Sequence, residues 1–185
     1  MSQQSWVEKV SSVIANGTAV ANSTTETILF PNITVPANYL TEDRRFRLRA
    51  TLMYGTTATP TLILALRWGG VAGTVIAKTG TITTGSAVGG GASMTAVMSI
   101  DAIVHCRARG SSGSLMTNGD WTVYTTGTAG GTAYPIVSGA TGGTTPVAVT
   151  VDLTADTAMA LTALWGTANA ANSIQGIDYA LESLA

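Results

Sequence analysis

Arg45-Phe46-Arg47-Leu48-Arg49-Ala50-Thr51-Leu52-Met53-Tyr54 decides the fold. Phe46, Leu48, Ala50, Leu52 and Tyr54 fall on one side, and Arg45, Arg47, Arg49, Thr51 and Met53 on the other. A period of two is the mark of a half-buried β-strand, because successive side chains point to opposite faces of a sheet. The stretch is therefore one wall of a β-structure, with its apolar side turned inward.

The same alternation recurs on either side. Thr61 to Trp68 puts Leu62, Leu64, Leu66 and Trp68 in one phase, and Gly69-Gly70 ends the run before a shorter strand, Val71 to Lys78. Ser93 to Arg109 places Met94, Met98, Ile100, Val104 and Cys106 opposite Thr95, Ser99, Asp101, His105 and Arg107. Thr27 to Phe30 and Ile33 to Val35 are short strand pieces broken by Pro31 and Pro36, which places them at an edge or a bulge. Trp121 to Tyr124, Val147 to Leu153, Ala158 to Trp165 and Ile174 to Leu184 supply further strands, with Asn118-Gly119-Asp120 read as a hairpin turn. Gly- and Thr-rich stretches at 79–92 and 125–145 read as loops, the second around a short strand at Tyr134 to Val137.

One segment reads differently. Between Ser2 and Ala15, Trp6, Val10, Val13 and Ile14 recur at the spacing of one helix face, and Asn16-Gly17 supplies a stop. Two readings are open: an arm that docks on a partner, or a short helix closing one end of the domain. The chain divides into an N-terminal arm or helix at 1–22 and a single β-sandwich domain at 23–185. Many short strands, Gly-rich connections and almost no helix define an all-β, antiparallel jelly-roll sandwich. An immunoglobulin-type sandwich is the rival, but its pair of cysteines around a tryptophan is not present, since Cys106 is the single cysteine.

Composition limits the function. The 185 residues are 45% apolar but only 10% charged, so the exterior is sparsely ionised and suited to being covered by neighbouring subunits. Nine basic against ten acidic residues leave a net charge of −1, too little field to hold a polyanion, so nucleic acid is not an expected partner. No charged start followed by an apolar run resembles a signal peptide, and no stretch approaches the ~20 apolar residues that cross a bilayer, so no membrane partner is expected.

No catalytic or metal-binding constellation stands out. His105 and Asp101 share a strand face but lie about 13 Å apart at about 3.4 Å per residue, out of hydrogen-bond reach. Asp152 and Asp156 flank a turn and lack the further oxygen ligands of a calcium loop. Trp68, Trp121, Trp165, Tyr54, Tyr124 and Tyr134 read first as core, and second as a platform for sugars. The arginine stripe Arg45, Arg47, Arg49 has two readings: a grip on acidic groups of a partner, or a solvated face balanced by Glu42, Asp43 and other carboxylates.

Several phrases resemble small structural proteins of tailed bacteriophages that carry a jelly roll and decorate capsids or sit on virion surfaces. They are Ala15-Asn16-Gly17-Thr18 with Ser23-Thr24-Thr25-Glu26, Val35-Pro36-Ala37-Asn38-Tyr39-Leu40, Phe46 to Ala50, Leu64 to Gly70, and Leu164 to Ile174. The resemblance implies a non-enzymatic capsid decoration (cement) protein, often trimeric, whose partner is the major capsid protein. It implies synthesis in the host cytoplasm, residence on the virion surface, and no cofactor. On that reading the partner-binding residues are Trp6, Val10, Val13 and Ile14 of the arm, with Arg45, Arg47 and Arg49 of the stripe. The runner-up is a receptor- or glycan-binding jelly-roll module of a head or tail fibre, and a hydrolase built around His105 is a third class.

Overall fold

A computed structural model describes residues 7–56, 59–84, 94–124, 131–140 and 145–184. Fourteen strands are found among them, and no helix. They are β1 (Val7–Ser12), β2 (Val20–Ala21), β3 (Thr27–Ile28), β4 (Ile33–Val35), β5 (Arg45–Gly55), β6 (Thr61–Trp68) and β7 (Thr74–Lys78). Then follow β8 (Ile82–Thr83), β9 (Ala96–Ala108), β10 (Gly113–Tyr124), β11 (Gly131–Ser138), β12 (Val149–Val151), β13 (Thr157–Trp165) and β14 (Ser173–Leu184).

All pairings are antiparallel, along the path β1-β14-β5-β9-β10-β11-β7-β6-β13-β3. Four of them are nested in sequence: β5 with β14, β6 with β13, β7 with β11 and β9 with β10. That is the pattern of one long hairpin rolled up, the jelly-roll way of burying a sheet face against itself. The inward phases of β5, β6, β9 and β10 join one core, with Phe46, Leu52, Leu64, Met98, Val104, Cys106 and Leu115 all at 3% exposure or less. The two halves meet across it. Phe30 packs edge-on to Tyr179 of β14, with centroids 5.1 Å apart, and Trp68 of β6 donates its Nε1–H to the Asp152 carbonyl at 3.0 Å.

The decisive strand spans Arg45–Gly55 with its apolar phase buried, and β6 has the bounds its alternation predicts. Three expectations are corrected. The expected helix over 2–15 is a strand over its described part, because Val7 to Ser12 pairs with β14 and finds its backbone partners there. A bulge between Lys9 and Ser11 inserts Val10 as an extra residue, which breaks the two-residue period and imitates helical spacing. Asn118-Gly119-Asp120 lies inside β10, and the actual β9–β10 turn is at Gly110 to Gly113, where the Gly113 N–H reaches the Gly110 carbonyl at 3.1 Å. Gly119 serves close approach instead, since a Cβ there would sit 2.1 Å from the Asp101 carbonyl oxygen on β9. In the Gly/Thr-rich stretches read as loops, Ile82–Thr83 is strand β8 paired with β6 and the expected short strand at 134–137 extends over β11, Gly131–Ser138, while 85–92, 125–130 and 141–144 lie outside the described residues.

Candidate functional site

The arginine stripe lies on the outward face of β5, flanked by β14 and β9. Register sets Arg49 beside Asp101 and Arg47 beside Ile103 and Glu182. Arg47 reaches diagonally to Asp101, its Nε and Nη2 donating to the two carboxylate oxygens at 2.9 and 2.5 Å. This forked pair holds the Asp101 carboxyl below its ordinary range against the opposing effect of burial, with the charges of Arg47 and Arg49 adding to it. Arg49 Nε stands 3.8 Å from the same carboxylate, and Arg45 is 3.5 Å from Asp43. His105 Nε2 also meets Asp43, at 3.1 Å, so this histidine and Asp101 are engaged with different partners. The stripe is thus largely spent on pairs within the chain, through Asp43 and Asp101.

Beyond the stripe, the same face sinks into a depression of about 610 Å³ between β14, β5, β9 and β10. Arg49, Thr51, Ser99, Asp120, Thr122 and Asp178 line it, with Asp101 and Glu182 at its side. The side-chain carboxylates of Asp120 and Asp178 make no hydrogen bond or ion pair with any described residue. Asp178 reaches this face because a bulge between Gly176 and Asp178 shifts the phase of β14. Asp120 was hidden by the turn reading of its tripeptide; the outward phase Met116, Asn118, Asp120, Thr122 is the signal that would have found it.

The arm occupies the edge beside β14. The Tyr39 hydroxyl donates to Glu8 at 2.8 Å, the Tyr39 ring stacks on Phe46 with centroids 5.7 Å apart, and the Arg44 guanidinium lies 4.7 Å above that ring. Ser11 and Tyr179 share a hydrogen bond of 2.8 Å. Val10 and Val13 pack against the core, whereas Ile14 is fully exposed and Val7 is 61% exposed. Trp6 lies outside the described residues.

The remaining candidates are structural. Cys106 is buried, and burial pushes its thiol up. Asp152 accepts from the Thr154 N–H at 2.8 Å, and Asp156 accepts from the Ala37 N–H at 2.8 Å, so both serve turns. No three His, Cys, Asp or Glu residues are grouped to hold a metal among the described residues. Of the aromatics, Trp68, Trp121, Trp165 and Tyr54 are core, and Tyr124 is 42% exposed. Sequence reading missed the cluster of Glu26, Arg67 and Thr162, which joins residues far apart in the chain and leaves no local pattern.

Fold and surface together define an all-β antiparallel sandwich with a clamped N-terminal edge strand and a polar concave face. No protein-family model matches the chain, and no curated protein matches it. Among solved structures it is similar to the "CBM2 module of Lactobacillus casei BL23 phage J-1 evolved Dit", at 12% identity and a TM-score of 0.35, covering 82% of this chain and 67% of that one. At that distance no residue role transfers.

Proposed function

We propose that this chain is a non-enzymatic structural protein of a phage virion, which binds the major capsid protein on the capsid surface as a decoration protein and does so as a homotrimer. The observation that carries the reading is the arm: an edge strand clamped through Glu8 and Ser11 that leaves Val7 and Ile14 exposed beside a strand edge that no other described strand pairs. Apolar side chains on a rigid edge form the centre of a docking patch, and the 10% charged composition keeps desolvation cost low where a neighbour covers it. The pairing of His105 with Asp43, and of Asp101 with Arg47, supports binding over turnover. The partner and the trimer are what the resemblance of the quoted phrases to phage decoration proteins implies.

The test is cosedimentation with undecorated capsid shells. The intact chain is expected to pellet saturably at micromolar concentration and to raise the shells' resistance to heat. Charge on the arm, as Val7→Asp with Ile14→Asp, is expected to weaken binding at least about tenfold, as does deletion of residues 1–15. An intact chain that stays in the supernatant at micromolar concentration removes the basis of the reading.

A further inference from the structure

The concave face of β14, β5, β9 and β10 offers a second site, independent of the arm. Its volume of about 610 Å³ is within the range of small-ligand sites, about 300–1,000 Å³. An apolar ligand would strip water from Asp120, Asp178 and the hydroxyls of Thr51, Ser99 and Thr122 without replacing it. A polyanion would meet the carboxylates. A polycation would meet Arg49 in the middle of the floor. What fits is a ligand whose groups both donate and accept, because Arg49 only donates, the carboxylates only accept, and the hydroxyls between them do both.

A second feature lies at the end of the face. Tyr124 follows Thr122 by two residues in the outward phase of β10, about 7 Å further along. It is 42% exposed, and its ring lies against the backbone of Gly131, where an added Cβ would come within 3.0 Å of two ring carbons. An exposed ring beside a glycine is an apolar platform with a polar tip.

We propose that this face binds a neutral oligosaccharide that spans it, with Tyr124 stacked on the C–H face of one sugar ring and Asp120 and Asp178, about 14 Å apart across three strand spacings, accepting hydrogen bonds from hydroxyls of different rings further along. A virion protein seated through its arm leaves such a face free for a glycan of the host surface.

The experiment is a microarray of neutral oligosaccharides probed with the full chain, followed by calorimetric titration of the best binder and of spermine. Saturable binding with a dissociation constant of order 0.1–1 mM is expected, weakened about tenfold or more by Tyr124→Ala and by Asp120→Ala with Asp178→Ala. The melting temperature of these variants is expected to stay near that of the parent, and capsid cosedimentation is expected to be unaffected, which separates this site from the arm. Absence of any saturable glycan, binding untouched by both sets of variants, or saturation by spermine alone each overturns the proposal.

Discussion

Phe46→Ala is expected to lower the unfolding free energy by about 3–5 kcal/mol, because it removes a fully buried aromatic ring and leaves a cavity that rigid neighbouring strands cannot fill. The loss reaches the arm as well. Tyr39 is supported from below by Phe46, and its hydroxyl is the donor that holds Glu8. Without that support the arm loses one of its two side-chain anchors, so the proposed capsid binding is expected to weaken even at temperatures where the variant is folded. Phe46→Leu, which keeps much of the volume, is expected to cost about half as much or less. Tyr39→Phe keeps the stack and removes the Glu8 hydrogen bond, at a cost of about 1 kcal/mol or below. Urea denaturation of the three variants decides the matter, and a loss for Phe46→Ala under about 1 kcal/mol would show that this ring does not hold the core together.

The second large effect is expected at Glu26. Arg67 donates Nε and Nη2 to its carboxylate at 2.6 and 2.5 Å, Thr162 Oγ1 donates at 2.5 Å, and the Arg67 Nη1 is anchored on the Gly73 carbonyl at 2.7 Å. The two charged side chains are only 22% and 19% exposed. Glu26→Ala strands a mostly buried guanidinium, for an expected cost of about 2–4 kcal/mol. Glu26→Ala with Arg67→Met is expected to recover part of that loss, since the pair is removed together.

Acid sensitivity follows from the same group. Burial raises the Glu26 carboxyl, but hydrogen bonds from Arg67 and Thr162, with the charges of Arg67 and Lys78, outweigh it and leave the group below its ordinary 4.5. Asp101 is likewise held below 3.8 by Arg47. A carboxyl depressed in the folded state contributes stability that is present above its unfolded value and is lost as pH falls through the folded one. Stability is therefore expected to decline on acidification below about pH 4.5. Glu26→Gln is expected to begin lower at neutral pH and to decline less steeply, and parallel pH profiles for parent and variant would remove Glu26 from the explanation.

The strands that alternate cleanly were legible because one face is buried and the other wet. In Phe46 to Tyr54 and Leu62 to Trp68 every second residue is apolar and buried as the two-residue period requires, with Met53, Ile63 and Ala65 on the opposite face. The arm was harder to read because it carries a bulge at Val10, and an extra residue reverses the phase on which such reading depends; β14 was legible as a strand, and its bulge between Gly176 and Asp178 hid only which residues face outward. Asn118-Gly119 misled for another reason: glycine there accommodates the Asp101 carbonyl of the neighbouring strand, so a tertiary approach carries the turn signature. Of the candidate site, the stripe was visible as residues and its balance by the nearby Asp43 was an open reading of the sequence, but the pairing of Arg47 and Arg49 with Asp101 depends on strand register. The outward phase of β10 marks Asp120, but the polar depression as a whole is not legible in the sequence, because register brings together four strands of which β5 and β14 lie more than a hundred residues apart.

The rolled pairing of β5 with β14 has a kinetic consequence. These partners lie more than a hundred residues apart in sequence, so their pairing spends loop-closure entropy before most of the compensating contacts exist. Refolding is accordingly expected on the milliseconds-to-seconds scale of non-local β topologies rather than in microseconds. Contacts that form only after the barrier also slow its reverse crossing, and a molecule built this way outlasts its equilibrium stability by resisting the first step of coming apart.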